Sequence, residues 1–337
     1  MRTFSFLLYP SIVLWIGLVI LATIFLIFFF VRFIMTMAFS RRFDFHPHLK
    51  YFTIKDFPDM DMDPIEFKNQ RGDMLRGGFY YDDLQQPHQK IMVFSHGSGP
   101  GHQAYTHLIH TFVKKGYVVF AYDNTGCGLS EGKSMLGIPQ AILDLKDALI
   151  YLEKTTYATL PKTLMGHSWG AYAVLRAARM HVKIEKIISI APFNDVSEML
   201  GKYIPWIRAF KRFVNLHNRM MFGKLSKPTS SELLATTTTK ILLIAGEKDD
   251  DVPLKGNYDL FVQSKNPLNK VYLAKNHRHN PYLSFRAETY VIDTILKGTL
   301  TLSKEKDQNV LHTFFNSLDY QHVGEHDPHI IDMIENF

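Results

Sequence analysis

The pentapeptide GHSWG at residues 166–170 constrains this chain more than any other stretch. It follows the short apolar run 162–165 and precedes the alanine-rich segment 171–179, so we expect a buried strand before the serine and a helix after it. A serine in such a sharp turn brings the strand and helix backbones close together, and only residues without a Cβ fit two positions on either side. The turn exposes the serine hydroxyl at a helix N-terminus, where negative charge is favoured. Ser168 is therefore the candidate nucleophile.

Apolar strand-like runs alternate with helix-like segments on both sides of this turn. Strands are predicted at 90–95, 117–122, 162–165, 184–191, 240–245 and 270–274, and helices at 102–115, 138–154, 169–181, 253–264 and 282–297. A β-hairpin over 65–81 precedes them. Strands that alternate with helices require right-handed crossovers, which predicts a mostly parallel, doubly wound α/β sheet. Ligands then bind beyond the carboxyl ends of the strands.

The N-terminal part of the chain carries a long uncharged segment. Residues 12–31 read IVLWIGLVILATIFLIFFFV, and at ~1.5 Å per residue they cover ~30 Å, the thickness of a bilayer core. A cleaved signal peptide would have a shorter apolar region and a small-residue cleavage site, whereas residues 37–40 form a poor site. We predict one retained transmembrane helix in an anchor at 1–39, with a cleaved signal or a buried core helix as alternatives.

The charged residues are compatible with a membrane location and indicate which classes of partner the protein binds. Arg2 precedes the apolar segment and three arginines follow it, at 32, 41 and 42, so the positive-inside rule favours the cytoplasmic side of the cell membrane for the body of the protein. The net charge of +6 comes without a basic stripe interleaved with aromatic residues, so nucleic acid is not indicated. Anionic lipid headgroups suit this charge better. The single cysteine, Cys127, excludes an internal disulfide.

The rest of the chain divides into three regions. The anchor is followed by a linker at 40–63, an α/β domain at 64–299 and a helical C-terminal extension at 300–337, whose role the sequence does not indicate. Residues 194–239 separate two strands and are too many for a plain crossover. Because they are rich in methionine, tryptophan and basic residues, we predict a helical cap over the strand ends that shapes an acyl-binding pocket. A purely structural insertion is the alternative.

Acidic and imidazole side chains follow the last two predicted strands. Three aspartates at 249–251 come after the strand 240–245, and His277 and His279 come after the strand 270–274. A serine hydroxyl is a poor nucleophile at neutral pH and needs a histidine base that a third group orients. Because parallel strands end at one edge of the sheet, these loops and the serine turn share that edge.

With these motifs the chain resembles the α/β-hydrolase superfamily, in particular the broad bacterial branch with serine aminopeptidase-like and esterase-like members. The resemblance covers about residues 64–297. The acid loop of this family reads G-x-x-D-x-x-V-P, which falls on residues 246–253 here. The resemblance therefore implies Asp249 as the acid of a Ser-His-Asp triad, with Asp250 and Asp251 as weaker candidates.

The base in this family is a histidine that stands between a glycine and a small or amide residue. His279 precedes Asn280 and so matches, but Arg278 replaces the glycine. The resemblance implies His279 as the base and leaves His277 open. A metal-binding His-x-His is the other interpretation of this pair, and no further ligand set supports it.

The resemblance also implies an oxyanion hole made of two backbone N–H groups. One belongs to Trp169, which follows the nucleophile, and the other to Ser98 in the loop 96–99, which matches the family's H-G-x-G element. The segment 123–130 resembles the D-x-x-G-x-G-x-S turn of the family, a structural element. Within it, Cys127 is interpreted as a small turn residue rather than a nucleophile.

Together these features predict a membrane-anchored serine hydrolase that cleaves a carboxylic ester, or a related acyl bond, through an acyl-enzyme. The expected substrate is a small-molecule or lipid-like acyl compound, and the chemistry requires no cofactor or metal. An aminopeptidase or acyltransferase with the same site is the alternative within enzymes. A catalytically idle hydrolase fold that serves as a membrane-tethered scaffold is the alternative outside them. The sequence leaves the oligomeric state open.

Overall fold

One eight-stranded sheet organises the part of the chain that this computed structural model describes, residues 10–83, 87–180 and 182–337. Its strands in chain order are β1 Asp61–Lys68, β2 Met74–Tyr81, β3 Lys90–Ser95, β4 Tyr117–Tyr122, β5 Lys162–His167, β6 Lys186–Ile190, β7 Lys240–Gly246 and β8 Asn269–Ala274. They lie in the order β1-β2-β4-β3-β5-β6-β7-β8. β2 is antiparallel to β1 and β4, and β3 to β8 are parallel to one another. The predicted hairpin and the mostly parallel α/β sheet are confirmed.

Both faces of this sheet are covered, which explains the continuous apolar runs in its strands. In β3, Ile91 and Val93 belong to the apolar cluster on one face, whereas Met92 and Phe94 belong to the cluster on the other. All four side chains are fully buried. Because successive side chains of a strand point to opposite faces, a strand that is covered on both must be apolar at every position.

The described part of the chain contains twelve α-helices. They are α1 Pro10–Ala38, α2 Thr106–Lys114, α3 Gln140–Leu152, α4 Trp169–Ala177, α5 Val196–Leu200, α6 Lys211–Phe222, α7 Ser230–Thr236, α8 Tyr258–Phe261, α9 Phe285–Tyr290, α10 Lys297–Thr301, α11 Gln308–Asn316 and α12 Pro328–Asn336. α3, α4 and α7 contribute to one apolar cluster, and α2, α9 and α12 to the other. The helix predicted to reach residue 181 ends at Ala177, and residue 181 lies outside the described part of the chain.

The C-terminal extension completes one of these helical layers. Helix α12 begins with Pro328 in its first turn, and the Asp327 side chain accepts a hydrogen bond from the Ile330 N–H at 3.1 Å. Such a cap satisfies one of the N–H groups that a helix start leaves without a partner. Ile331 and Ile334 are buried against the sheet with Ile330. The extension is therefore part of the body of the protein.

Helix α1 contains the segment that was predicted to span a membrane; residues 1–9 of the predicted anchor lie outside the described residues. Residues 12–38 have a mean hydropathy of 3.0 in their most apolar window, and none of that window is buried in the protein. The C-terminal end of α1 differs from the rest of the helix. Val31 and Met35 are 0% and 1% exposed and belong to the same apolar cluster as α3, α4 and α7. This end packs against α6, and Phe30 stacks on Trp206 with ring centroids 5.8 Å apart.

The segment predicted as a linker, 40–63, is also fastened to the body. Phe43 exchanges two backbone hydrogen bonds of 2.9 Å with the glycine turn at 126–128. The Arg42 guanidinium donates to three carbonyl oxygens of the loop 128–132. The body is thus connected to α1 by a segment that has its own contacts with the loop 126–132.

Candidate active site

Ser168 stands in a strained turn between β5 and α4. Its φ of +53° and ψ of −110° place it in a region that few residues other than glycine adopt. A Cβ on Gly166 would lie 2.4 Å from the Gly170 backbone, and one on Gly170 would lie 1.9 Å from the carbonyl oxygen of Ser95. Neither position can hold a larger side chain. The crowding that the sequence predicts around the serine is therefore present.

The turn brings Ser168 to the side chains predicted as base and acid. Its Oγ lies 2.9 Å from Nε2 of His279, and Nδ1 of His279 lies 2.8 Å from Oδ2 of Asp249 and 3.0 Å from Oδ1. The carboxylate is buried, whereas 15% of the His279 side chain is exposed. A hydroxyl, an imidazole and a carboxylate in this order form a relay through which the hydroxyl proton can move to the imidazole.

The alternative acid and base residues have other partners. Nε2 of His277 lies 3.2 Å from Oδ2 of Asp327, a residue before α12. Asp250 is exposed. Asp251 forms a 2.9 Å ion pair with Lys202 of the cap. The structure therefore joins Ser168 to one of the two candidate histidines and, through it, to one of the three candidate aspartates.

Electrostatics favour a charged imidazole at this place. Burial opposes protonation of His279, but the hydrogen bond to Asp249 and the negative charge of that carboxylate outweigh it, so the pKa of His279 lies above its ordinary value. The carboxylate is in turn held by the backbone N–H groups of Asp251 and Val252, each 2.8 Å from Oδ1. Hydrogen bonds from backbone N–H groups fix the position of such a carboxylate and satisfy its buried oxygen. Asp249 can therefore stabilise an imidazolium.

His167, inside the pentapeptide, connects three loops of the site. Its Nε2 donates to the carbonyl oxygen of His279 at 2.8 Å, and its Nδ1 lies 2.9 Å from the hydroxyl of Tyr105. That hydroxyl accepts from the N–H of Gly97 at 3.1 Å. Burial, and then the charge of His279, lower the pKa of His167 to about 3, so its ring is neutral. The sequence motifs did not predict this role for His167. The one indication in the sequence was a polar side chain between Gly166 and Ser168.

Glu288 of α9 orients the loop that carries the candidate base. Its side chain is 1% exposed and accepts hydrogen bonds from the N–H groups of Arg278 and Asn280, at 2.9 and 2.7 Å. These residues flank His279, so one buried carboxylate holds the backbone on both sides of it. Glu288 also lies 3.3 Å from His277, and hydrogen bonding to it raises the pKa of that imidazole. The sequence carries no signal for this contact.

The glycine-rich loop after β3 is anchored by His96. The N–H of Asn124 donates to its Nε2 at 2.9 Å, so the other ring nitrogen carries the proton and donates to the carbonyl oxygen of Gly97 at 2.7 Å. This ring is fully buried, which lowers its pKa. Asn124 belongs to the turn 123–130, which also contains Cys127. This cysteine is buried, and burial raises the pKa of its thiol, so the thiol stays protonated and is not a nucleophile.

The two residues predicted to supply the oxyanion N–H groups, Trp169 and Ser98, belong to segments that border the serine turn. Trp169 is the first residue of α4, and the first N–H groups of a helix have no carbonyl partner within it. Its indole Nε1 donates to the carbonyl oxygen of Ile138, which fixes the ring away from the site. Ser98 lines the same cavity as Ser168. The loop after β3 approaches the serine turn closely, because a Cβ on Gly97 would lie 3.3 Å from the carbonyl oxygen of His167. The positive end of α4 begins at the same turn.

A cavity of about 460 Å³ opens at Ser168. The cap contributes only Met199 and Tyr203 to its walls. Most of the lining comes from four other segments, namely 49–52, 103–108, 279–296 and 320–326. The cap therefore shapes less of the cavity than the sequence predicts. Within the described residues, no group of three or more histidine, cysteine or acidic side chains is arranged to hold a metal ion.

Comparison with known proteins agrees with this architecture. The family model described as "Serine aminopeptidase, S33" matches residues 86–233. Human monoglyceride lipase is 33% identical over 107 residues, which are 31% of this chain and 35% of that enzyme. The monoacylglycerol lipase of Mycolicibacterium smegmatis is 24% identical over 230 residues, which are 56% of this chain and 80% of that enzyme. The chain thus spans about a third of the length of the human enzyme and of a monkeypox virus homologue.

Among solved structures, an esterase of Pyrococcus furiosus matches with a TM-score of 0.56 at 17% identity. The match covers 76% of this chain and 96% of that chain. A likeness at this identity concerns the fold. Together with the strand order and the serine turn, it shows that the chain has the α/β-hydrolase fold.

Proposed function

We propose that this protein is a membrane-anchored serine hydrolase that cleaves a carboxylic ester. The observation that carries the proposal is the relay Ser168–His279–Asp249, whose hydroxyl opens into a cavity with largely apolar walls. The relatives named monoglyceride and monoacylglycerol lipase support an ester of a lipid-like acyl group as the substrate class.

In the proposed mechanism, Oγ of Ser168 attacks the ester carbonyl carbon while Nε2 of His279 takes the hydroxyl proton. The charge that develops on the carbonyl oxygen is held by the N–H groups of Ser98 and Trp169. The imidazolium, stabilised by Asp249, then gives its proton to the leaving alcohol, and an acyl-enzyme ester remains. His279 next takes a proton from a water molecule whose oxygen attacks the acyl carbon. The imidazolium then gives that proton to Oγ of Ser168 as the acyl–oxygen bond breaks, which releases the acid and restores the free serine.

An aminopeptidase with the same relay is the alternative, and the lining of the cavity disfavours it. A peptide N-terminus is a cation and needs an unpaired carboxylate near the nucleophile. The acidic residue among the lining residues, Asp251, is neutralised by Lys202 at 2.9 Å. The match to the serine aminopeptidase family model keeps this alternative worth testing with amide substrates.

Helix α1 is a retained anchor in this proposal. A cleaved signal peptide would remove Val31 and Met35 from the core, where both are buried. Residues 12–30 remain for the bilayer, and at ~1.5 Å per residue they cover roughly 30 Å. Trp206, which stacks on Phe30, lies where an aromatic belt is expected at the membrane surface. The arginines that follow α1 favour a cytoplasmic body.

The anchor is tested by washing membranes that contain the full-length protein with alkaline carbonate. Retention in the membrane pellet is expected, and release into the supernatant would overturn the anchor. Protease added to intact cells should leave the body of the protein uncut if it lies in the cytoplasm. Cleavage under these conditions would place it on the outer side.

The activity is tested with the full-length protein in detergent, because a truncation beyond α1 removes buried side chains. Wild type and Ser168→Ala are compared for hydrolysis of p-nitrophenyl esters and for labelling by a fluorophosphonate. We expect turnover and labelling that both require Ser168, with kcat lowered on the order of 10⁵- to 10⁶-fold by the substitution. Labelling without ester turnover would favour amides or acyl transfer. The absence of both from a folded sample would favour the idle scaffold.

A further inference from the structure

The cavity at Ser168 continues away from the cap toward the C-terminal part of the chain. Tyr282 lies three residues after His279. The centroid of its ring is 5.3 Å from that of His167 and 6.2 Å from that of His326. All three residues line the cavity together with Ser168. The space that begins at the nucleophile therefore runs past Tyr282 to the segment 320–326.

One wall of this space is formed by the helical turn that continues α9. Residues 291–296 form a π-helical turn between α9 and α10, and four of them line the cavity, namely Val291, Ile292, Ile295 and Leu296. The wider π turn brings such positions onto one face, and turns of this kind recur at functional sites. The four side chains make this wall entirely aliphatic.

Another part of the wall comes from two segments that are far apart in the chain. Leu49 and Phe52, from the segment after α1, face the cavity with Tyr320 and Val323 from the C-terminal extension. The N–H of Lys50 donates to the Tyr320 hydroxyl at 3.2 Å, which links the two segments. With the aliphatic helix face they enclose one largely apolar compartment. Its lining includes the charged residue Lys50, which forms a 3.2 Å ion pair with Asp56.

This compartment is built into the fold. The N–H of Ser284 donates to the carbonyl oxygen of Glu325 at 2.8 Å, and the N–H of Asp327 donates to that of Tyr282 at 3.0 Å. A Cβ on Gly324 would lie 2.1 Å from the ring of His107, so the extension lies directly on α2. Two backbone hydrogen bonds and a close contact thus hold the wall beside the base loop.

Two imidazoles line the compartment without adding charge. Burial, together with the neighbouring histidines, lowers the pKa of His326 to about 4 and also lowers that of His107. Both rings are therefore neutral at pH 7. The ring of Phe52 packs on His107 with centroids 4.3 Å apart, so the imidazole is one more wall of the apolar space.

From this arrangement we infer that the compartment formed by residues 49–52, 291–296 and 320–326 is the acyl chamber of the enzyme, and that it, rather than the cap, selects the length of the acyl chain. At roughly 30 Å³ for a group the size of a water molecule, the whole cavity of about 460 Å³ has room for about fifteen such groups. Part of this volume lies at Ser168, so the chamber suits a chain on the order of ten carbons. The inference rests on the proposed function, since the chamber is assigned to the acyl part of the substrate of Ser168.

The test is a chain-length profile for variants that fill the chamber. Ile292→Trp and Val323→Trp each add bulk to one wall, and Leu300→Trp is the matched control because that side chain is 74% exposed and lies outside the cavity. We expect both chamber variants to lower the ratio of kcat/KM for p-nitrophenyl decanoate to that for the butyrate at least tenfold. Leu300→Trp should keep the wild-type ratio.

A third variant protects the test against misfolding. Ile292→Ala enlarges the chamber and should move the best substrate to a longer chain, an effect that damage to the fold would not produce. Thermal unfolding of each variant is measured beside its activity. Wild-type profiles in all three folded variants would overturn the chamber while leaving the hydrolase in place.

Binding separates the chamber from the proposed activity. Ser168→Ala protein is titrated with decanoic acid in a calorimeter, and the titration is repeated with the double variant that also carries Ile292→Trp. We expect binding that the second substitution weakens at least tenfold, even if ester turnover is never observed. Binding of equal strength with and without Ile292→Trp would overturn the chamber.

Discussion

Two relays of almost the same geometry lie in this protein. Each joins a hydroxyl, an imidazole and a carboxylate: the serine relay Ser168–His279–Asp249 and the tyrosine relay Tyr80–His102–Asp123. The oxygen–nitrogen distances are 2.9 and 2.8 Å in the serine relay and 2.8 and 2.6 Å in the tyrosine relay. In both, Nδ1 faces the carboxylate and Nε2 faces the hydroxyl.

The two relays differ in whether a substrate can reach them. Tyr80, His102 and Asp123 are 3%, 2% and 0% exposed, and burial raises the pKa of the tyrosine. The serine relay borders a cavity, and its hydroxyl stands in a strained turn at the N-terminus of a helix. A relay therefore becomes a candidate for catalysis through its surroundings. The same three groups in a dry interior connect β2, β4 and the loop between β3 and α2, which is a structural role.

Asp249→Asn should have the largest effect of the substitutions that compare the relays. An amide cannot stabilise the imidazolium of His279, so kcat for ester hydrolysis should fall on the order of 10⁴-fold. Steady-state kinetics of the folded variant measure this. Asp250→Asn, at the exposed neighbouring position, is the control and should stay within a few-fold of wild type. A large loss in the control with none in Asp249→Asn would move the acid.

Asp123→Asn should act on stability instead. This carboxylate accepts hydrogen bonds from the backbone and side chain of His102 and from the N–H of Leu129, at 2.7, 2.6 and 2.9 Å. Breaking a buried pair of this kind lowers the free energy of unfolding by about 3–5 kcal/mol. Urea unfolding measures the loss. Turnover per folded molecule should stay near wild type, and a loss like that of Asp249→Asn would give the tyrosine relay a catalytic role.

The pH profile should report the serine relay. The base must be neutral, and Asp249 holds the pKa of His279 above 6.5, so kcat/KM should fall about tenfold per pH unit below that raised value. In Asp249→Asn the attraction for the proton is gone, and the midpoint should move to lower pH. A midpoint at or below 6.5 in the wild type, or no movement in the variant, would contradict this coupling.

Tyr80→Phe should have the smallest effect. It removes one buried hydrogen bond to Nε2 of His102, which is worth about 1 kcal/mol of unfolding free energy. Thermal or urea unfolding against wild type measures it, and esterase activity should not change. A strong loss of activity with little loss of stability would show that the two relays communicate.

Local sequence made the serine turn and the sheet predictable. The strand, the serine between two glycines and the helix follow one another directly in the chain. The two glycines are required because a Cβ at either position would collide with backbone close to the serine or with the adjacent strand. The apolar runs of the strands follow from burial on both faces. Such features depend on short-range geometry, so they leave a periodic or spaced pattern in the chain.

The supporting contacts around the site left no such pattern. Glu288 lies on a predicted helix and looks like any surface glutamate in the sequence, yet it is 1% exposed and holds both neighbours of His279. The cap composition pointed to an acyl pocket, but most of the cavity wall comes from elsewhere. These outcomes depend on which distant segments the sheet brings together.

By itself, the sequence determined the fold class, the serine turn and the loops that offer an acid and a base, because each of these is specified by neighbouring residues or by the order of strands. The resemblance to a known family named His279 and Asp249, and the tertiary structure brings these two side chains into line with Ser168. Only the tertiary structure decided that the segment after α1 and the C-terminal extension together wall the cavity. Those choices rest on contacts between residues far apart in the chain. Such contacts form only when helices pack on the sheet and satisfy its buried polar groups.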